Sequence, residues 1–205
     1  MGRPSAAAAR DTRRAILDAA LDLFAERGFH AASVRALAAG AGVRESAIYH
    51  YFPSKEAILD EMFAERDRMR TAHIEEALAV IGDRTLAEVL NLMIERFLAF
   101  ASDPGNRKFF RVIVGLAASD EVPQALLERH MGVPRSALKL VEELQRSGRI
   151  RRDVSPEVFL MHVSAPLFFG CGLFGGRRLV TAPLKQFIKQ HVAFIVRAAG
   201  RGGGN

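Results

Sequence analysis

The stretch Ser33–Lys55, SVRALAAGAGVRESAIYHYFPSK, decides the fold of this chain. It reads as two short helices crossing steeply through a tight turn. Ser33 is placed to cap a helix over residues 34–41, its hydroxyl taking one of the orphan N–H groups of the first turn. Leu37 and Ala41 are apolar, and Ala38 is small where the two helices come closest. Gly42 supplies the positive φ of the turn, and Val43 and Ile48 plug the shared core. A second helix follows over residues 44–51 and stops at Pro53, because the residue before a proline disfavours the helical region. With Val43, Ala47, Ile48 and Tyr51 or Phe52 turned inward, the side chains left over are Arg44, Glu45, Ser46, Tyr49 and His50. An arginine can pair bidentately with guanine, a glutamate can accept from cytosine, and a tyrosine can bond to phosphate, so this short face suits a major groove. The bland alternative is a solvated helix face.

Outward from that stretch the periodicity is helical nearly everywhere, with no strict alternation long enough for a strand. A helix over residues 12–27 carries Ile16, Ala19, Ala20, Leu23 and Phe24 on one stripe, stops at Gly28, and folds Phe29 back. Ser54 caps a long helix over residues 55–81, and Thr85 with Glu88 forms a capping box for residues 86–102. Further helices are predicted over 106–117, over 123–147 with a break at 132–134, over 156–174 from the Ser155–Pro156 start signal, and over 183–199. The fold class is therefore all-α, about nine helices. The predicted division is a flexible basic arm at 1–11, a three-helix DNA-binding domain at 12–56, a second helical domain at 57–199 with a dimerisation face, and a disordered glycine-rich tail at 200–205.

Composition narrows the function. The 205 residues are 49% hydrophobic and 25% charged, an ordinary globular balance. The lone Cys171 excludes a disulfide framework and points to a reducing cytoplasm. Asp18 and Asp22 break the apolar run that a secretory leader would need. Residues 158–176 carry no charge, but His162, Ser164, Pro166 and the glycines favour a buried packing helix over a membrane span. The net charge of +6 is a poor guide to a nucleic-acid partner. All 23 acidic residues lie at or before Glu157, and the surplus cations lie after it. Placement of individual cations carries the case instead. Gly170–Gly175 spells G-x-G-x-x-G, but no strand precedes it and no acid follows it. Ser136–Lys139 spells S-x-x-K without companion motifs. No metal-ligand cluster, cofactor motif or catalytic constellation is visible, so an enzyme is not expected.

The ordered set Ile16, Ala19–Ala20, Leu23–Phe29, Ser33–Val34, Ala38, Ala41–Val43, Ile48–Phe52 and Lys55–Leu59 resembles the tetracycline-repressor-like (TetR) transcriptional regulators over residues 12–62. Residues 80–205 match the family only in compatible architecture. The resemblance implies DNA-contact roles for Ser33 and Arg35 in the second helix and for Arg44, Glu45, Ser46 and His50 facing base edges. It implies backbone contacts for Tyr49 and Tyr51, and a phosphate contact for Lys55, where a helix N-terminus adds its own partial charge. An acid at Glu45 departs from the small residue common there and repels phosphate. The arm with Arg3, Arg10, Arg13 and Arg14 could lie in a minor groove.

The second half is rich in phenylalanine. Each of its stripes reads first as core, and the resemblance further implies a cavity for a small effector. Met93, Phe97 and Phe100, then Phe110 with Ile113, then Met161 and Phe169 are its candidate lining; Arg96, His130 and His162 are its candidate polar handles. Pro166 should free the carbonyl of His162. The last two long helices are apolar on more than one face, as a homodimer interface requires, and a twofold dimer matches successive major grooves of a palindrome. The function expected is a homodimeric repressor released from its operator by a largely apolar effector. The alternative is a DNA-binding or architectural protein without one.

Overall fold

The computed structural model describes residues 6–118, 124–174 and 182–200. Its regular structure there is helical, apart from one isolated antiparallel bridge between Ile150 and Gly200. The helices are α1 Ala6–Arg27, α2 Val34–Gly40, α3 Glu45–Tyr51, α4 Lys55–Ala79, α5 Leu86–Ser102, α6 Pro104–Ala117, α7 Gln124–Met131, α8 Arg135–Arg146, α9 Pro156–Phe174 and α10 Ala182–Ala199. The predicted helix at 123–147 is present as α7 and α8, interrupted where Gly132 and Pro134 were expected to break it. The N-terminus of α1 differs from expectation. It begins at Ala6 rather than Thr12, because Ala6–Ala9 is a run of the best helix former and Thr12 Oγ1 bonds back to Ala8 O at 2.9 Å. Of the expected tail, Gly200 is paired with Ile150, and residues 201–205 lie outside the described residues.

The chain divides into two compact units, Met1–Asp67 with Lys108–His130, and Arg68–Arg107 with Met131–Asn205. In the first, Ile16, Ala20, Phe24, Leu37, Ile48, Phe52, Ile58 and Leu59 are buried. Fully burying one such large side chain contributes about 2 kcal/mol. Gly28 has φ +81° and closes α1, its N–H bonding Phe24 O at 3.0 Å. Phe29 folds back so that its ring meets the edge of Phe24, centroids 5.1 Å apart. A Cβ on Gly40 would sit 3.3 Å from Ala19 Cβ, so α1 and α2 approach as closely as small residues allow. From the later part of the chain, Phe109 meets Phe63 edge-on at 5.2 Å, and Lys108 pairs with Asp22.

The second unit is built around Leu86, Val89, Leu90 and Ile94 of α5, Leu140, Val141 and Leu144 of α8, Phe159, Val163 and Leu167 of α9, and Val192 and Ile195 of α10. The predicted capping box is formed: Thr85 Oγ1 accepts from Glu88 N at 3.3 Å, and Glu88 Oε2 accepts from Thr85 N at 2.7 Å. The bonds that Thr85 N and Thr85 Oγ1 donate to the Glu88 carboxylate, at 2.7 and 2.8 Å, hold it below its ordinary range. Arg149 closes the turn after α4 by donating to Gly82 O and Arg84 O at 3.0 and 2.8 Å. Pro166 lies inside α9, and the carbonyl it frees, that of His162, accepts from His191 Nε2 of α10 at 2.9 Å. No helix among the described residues is long and apolar enough to cross a membrane.

Candidate nucleic-acid interface

The two short helices of the first unit are fixed by local bonds that follow from their sequence. Ser33 is extended, φ −87° and ψ 150°, and its Oγ accepts from Ala36 N at 3.2 Å. Beyond α2 the chain turns at Gly42, φ +66°, with Gly42 N on Ala39 O at 3.2 Å and Val43 N on Ala38 O at 2.9 Å. Those bonds occupy carbonyls at the end of α2 that would otherwise be orphans. Arg44 then takes the extended N-cap conformation and α3 begins at Glu45. Ile48 is buried at the centre of α3 and Phe52 just beyond it, which rolls the remaining side chains outward.

Arg44, Glu45, Ser46, Tyr49 and His50 are all exposed, Tyr49 at 56%. Arg35 is exposed on α2 beside the exposed Ser33, and Tyr51 is half-buried with its ring edge-on to His50 at 5.0 Å. Among the described residues Arg35 and Arg44 form no side-chain hydrogen bond or ion pair. Two guanidiniums of α1 are otherwise committed. Arg13 pairs with Glu61 at 3.0 Å and lies 5.0 Å over the Phe52 ring, while Arg14 pairs with Asp18 and Glu65. The face thus holds uncommitted hydrogen-bonding groups on a helix held from behind by two apolar anchors, and can meet phosphates and base edges without first breaking internal bonds.

Lys55, expected to meet a phosphate, is already engaged within the chain. Its Nζ lies 2.7 Å from Phe29 O, 3.0 Å from Ala32 O and 3.3 Å from His30 O, and 4.5 Å from the centroid of the Phe29 ring. An ammonium has three N–H donors, and three carbonyls take them. Nothing in the local sequence signals this, because the acceptors lie more than twenty residues upstream.

The effector candidates divide between the units. Met93, Arg96, Phe97, Phe100, Met161 and His162 belong to the second, and Phe110, Ile113 and His130 to the first. Met93, Phe97 and Phe100 are half-buried; Phe100 meets the His73 ring at 5.9 Å, and Arg96 pairs with Glu76 at 2.7 Å. Phe110 and Ile113 are buried. Met161 is 59% exposed and is no cavity lining, because Val163 and Leu167 face the core instead. His162 is exposed, its Nδ1 bonded to Val158 O at 2.8 Å. The Phe169 side chain lies outside the described residues.

His130 is likewise corrected. It is only 8% exposed, stacks on Phe63 at 5.3 Å, and presents Nδ1 to Asp67 at 2.7 Å and Nε2 to Asp60 at 2.9 Å. Both ring nitrogens are taken, so the residue pins α7 to α4 rather than offering a handle. The His130 hydrogen bond, helped by Arg129, holds the Asp60 carboxyl below the usual carboxylate range against the effect of burial. A crevice beside Leu17, Met62 and Phe109 has a volume of about 10 Å³, room for one water at most.

Comparison with known proteins agrees with this geometry. Residues 16–62, spanning α2 and α3, match the profile of bacterial regulatory proteins of the tetR family. The HTH-type transcriptional regulator UidR of Escherichia coli (strain K12) is 27% identical over 150 residues, 72% of this chain and 73% of that one. Among solved structures, Salmonella enterica GusR superposes with a TM-score of 0.73 at 22% identity, covering 91% of this chain and 95% of that one. The Bacillus subtilis regulator FadR, solved in complex with stearoyl-CoA, gives 0.68 at 22% identity, covering 89% and 97%. The fold, the profile over the helix-turn-helix and the relative that runs through most of both chains converge: residues 16–62 match the helix-turn-helix domain of the bacterial tetR-family regulators, and the chain as a whole is similar to transcriptional regulators.

Proposed function

We propose that the chain is a homodimeric repressor whose α3 enters the major groove of a palindromic operator, and that a small, largely apolar effector releases it. In this reading residues 12–56 are the reading head and 57–199 the effector-binding and dimerisation part. Ser33, Arg35, Arg44, Glu45, Ser46, Tyr49, His50 and Tyr51 make the DNA contacts. The single observation that carries the reading is the α3 face. Its polar side chains are exposed and, at Arg44, uncommitted, while Ile48 and Phe52 anchor it. Self-association draws support from α9 and α10, where Val158, Met161, Phe187 and Phe194 are exposed on a unit that already has its own core. An apolar effector draws support from the half-buried Met93, Phe97 and Phe100, and from the stearoyl-CoA held by the FadR relative.

The mechanism needs only a bistable link. Helix α4 is continuous and contributes residues to both units, so a ligand wedged against its second half can bias the first. Converting a 99:1 preference for the DNA-competent state into 1:99 requires the effector to favour the other state by about 5.5 kcal/mol.

The test is selection of duplexes from a random library by the full-length protein, followed by titration of the bound duplex with long-chain acyl-CoAs and free fatty acids. Enrichment of an inverted repeat bound by two copies, and its release by one compound class, is the expected result. Enrichment without release leaves a repressor lacking that effector; no enrichment overturns the reading.

A further inference from the structure

We infer that Lys55 is a positioning residue for DNA recognition: its ammonium closes a three-carbonyl cage that sets where α2 begins, and it contributes no phosphate contact. The cage is built by the connection between α1 and α2. Past Gly28 the chain leaves the helix, and the carbonyls of Phe29, His30 and Ala32 have no place in any helical ladder. Such groups need donors unless water reaches them. Lys55, at the first position of α4, supplies all three. Its charge also lies over the face of Phe29, a ring that is 4% exposed and packed on Phe24.

The geometry has a direct consequence for recognition. The last caged carbonyl belongs to Ala32, and the next residue is the Ser33 N-cap of α2. Fixing residues 29–32 therefore fixes the start of α2, and α2 in turn fixes α3 through the bonds around Gly42. The fourth helix is anchored from its own side, since Ser54 Oγ accepts from Ala57 N at 3.2 Å. Removing the ammonium leaves α4 capped and the α1–α2 connection loose. Discrimination between duplexes falls, because it depends on α3 being placed to within a fraction of an ångström of base edges. The ionic part of binding, which depends on the number of phosphates neutralised, stays as it was.

The experiment compares wild type, Lys55→Gln and Lys55→Arg on the duplex that wild type enriches from a random library and on a scrambled duplex, over a range of salt. If wild type enriches nothing, the proposed operator reading fails and the comparison is not reached. With a wild-type duplex in hand, Lys55→Gln is expected to bind it about tenfold more weakly, to bind the scrambled duplex as wild type does, and to keep the wild-type slope of log affinity against log salt. Lys55→Arg is expected to behave like Lys55→Gln, because a planar guanidinium does not fit a cage sized for a compact ammonium. A slope reduced by about 0.9 per bound copy, an equal loss on both duplexes, full binding by Lys55→Arg, or no loss at all would overturn the inference.

Should the variants fail to fold, the wild-type protein decides. A ¹⁵N-labelled Lys55 ammonium that is visible and slowly exchanging without DNA, and unmoved when duplex is added, supports the cage. One that becomes protected only on DNA overturns it.

Discussion

Two faces of this molecule leave side chains in solvent, and they are opposite in kind. On α2 and α3 the exposed groups are Arg35, Arg44, Glu45, Ser46, Tyr49 and His50, all able to donate or accept hydrogen bonds. On α9 and α10 they include Val158, Met161, Phe187 and Phe194, with Phe194 54% exposed, over a stretch that after Glu157 has no carboxylate. A polar face costs nothing in water and waits for a partner bearing phosphates and base edges. An apolar face of that size costs free energy until it is covered. The two should respond oppositely to salt, which screens the first and leaves the second intact or strengthened.

The comparison can be broken most violently at the apolar face. Phe194→Asp places a charge where a second copy would bury it, and self-association is expected to weaken by about a hundredfold or more, read by sedimentation. Unchanged association would show that α10 faces solvent in the working protein. Next in size is Arg44→Ala. A lost bidentate base contact costs about 1–3 kcal/mol on the selected duplex and little on a scrambled one, measured by fluorescence anisotropy, with association between copies unaffected. Equal losses on both duplexes would assign Arg44 to phosphate. Smaller again is Ser33→Ala, which removes the α2 cap and is expected to cost about 1 kcal/mol, lowering Tm by about 3 °C in calorimetry.

The smallest effect is in acid. The Asp60 carboxyl is depressed in the folded state by His130 and Arg129, so it contributes stability that is present above its ordinary range. That contribution is lost as pH falls through the depressed value. Asp60→Asn is expected to flatten this acid limb in urea unfolding followed against pH; an unchanged profile would show that the pairing carries no linkage.

Local signals were legible and distant ones were not. Ser33, Ser54 and Thr85 with Glu88 cap their helices within three residues of themselves, and Gly28 and Gly42 have the positive φ their turns demanded. The outward residues of α3 follow from which of its neighbours are apolar. The α1 start at Ala6 was missed because an alanine run carries propensity without any stripe. His130 was misread because its carboxylate partners lie 63 and 70 residues away. Met161 was misread because a helix that is apolar all round does not announce which side a core will choose. Lys55 illustrates the same limit: its position matches a known pattern, but its acceptors are set by tertiary folding.

The proline within α9 has a consequence for descent as well as for shape. By removing one donor from its own helix, Pro166 leaves the His162 carbonyl to a donor on α10, and His191 fills that role with Nε2. Neither residue is then free to drift alone. Relatives that keep the ring at 166 should retain an N–H or O–H side chain opposite, and those that lose the ring are released from that requirement, so the two columns should change in step.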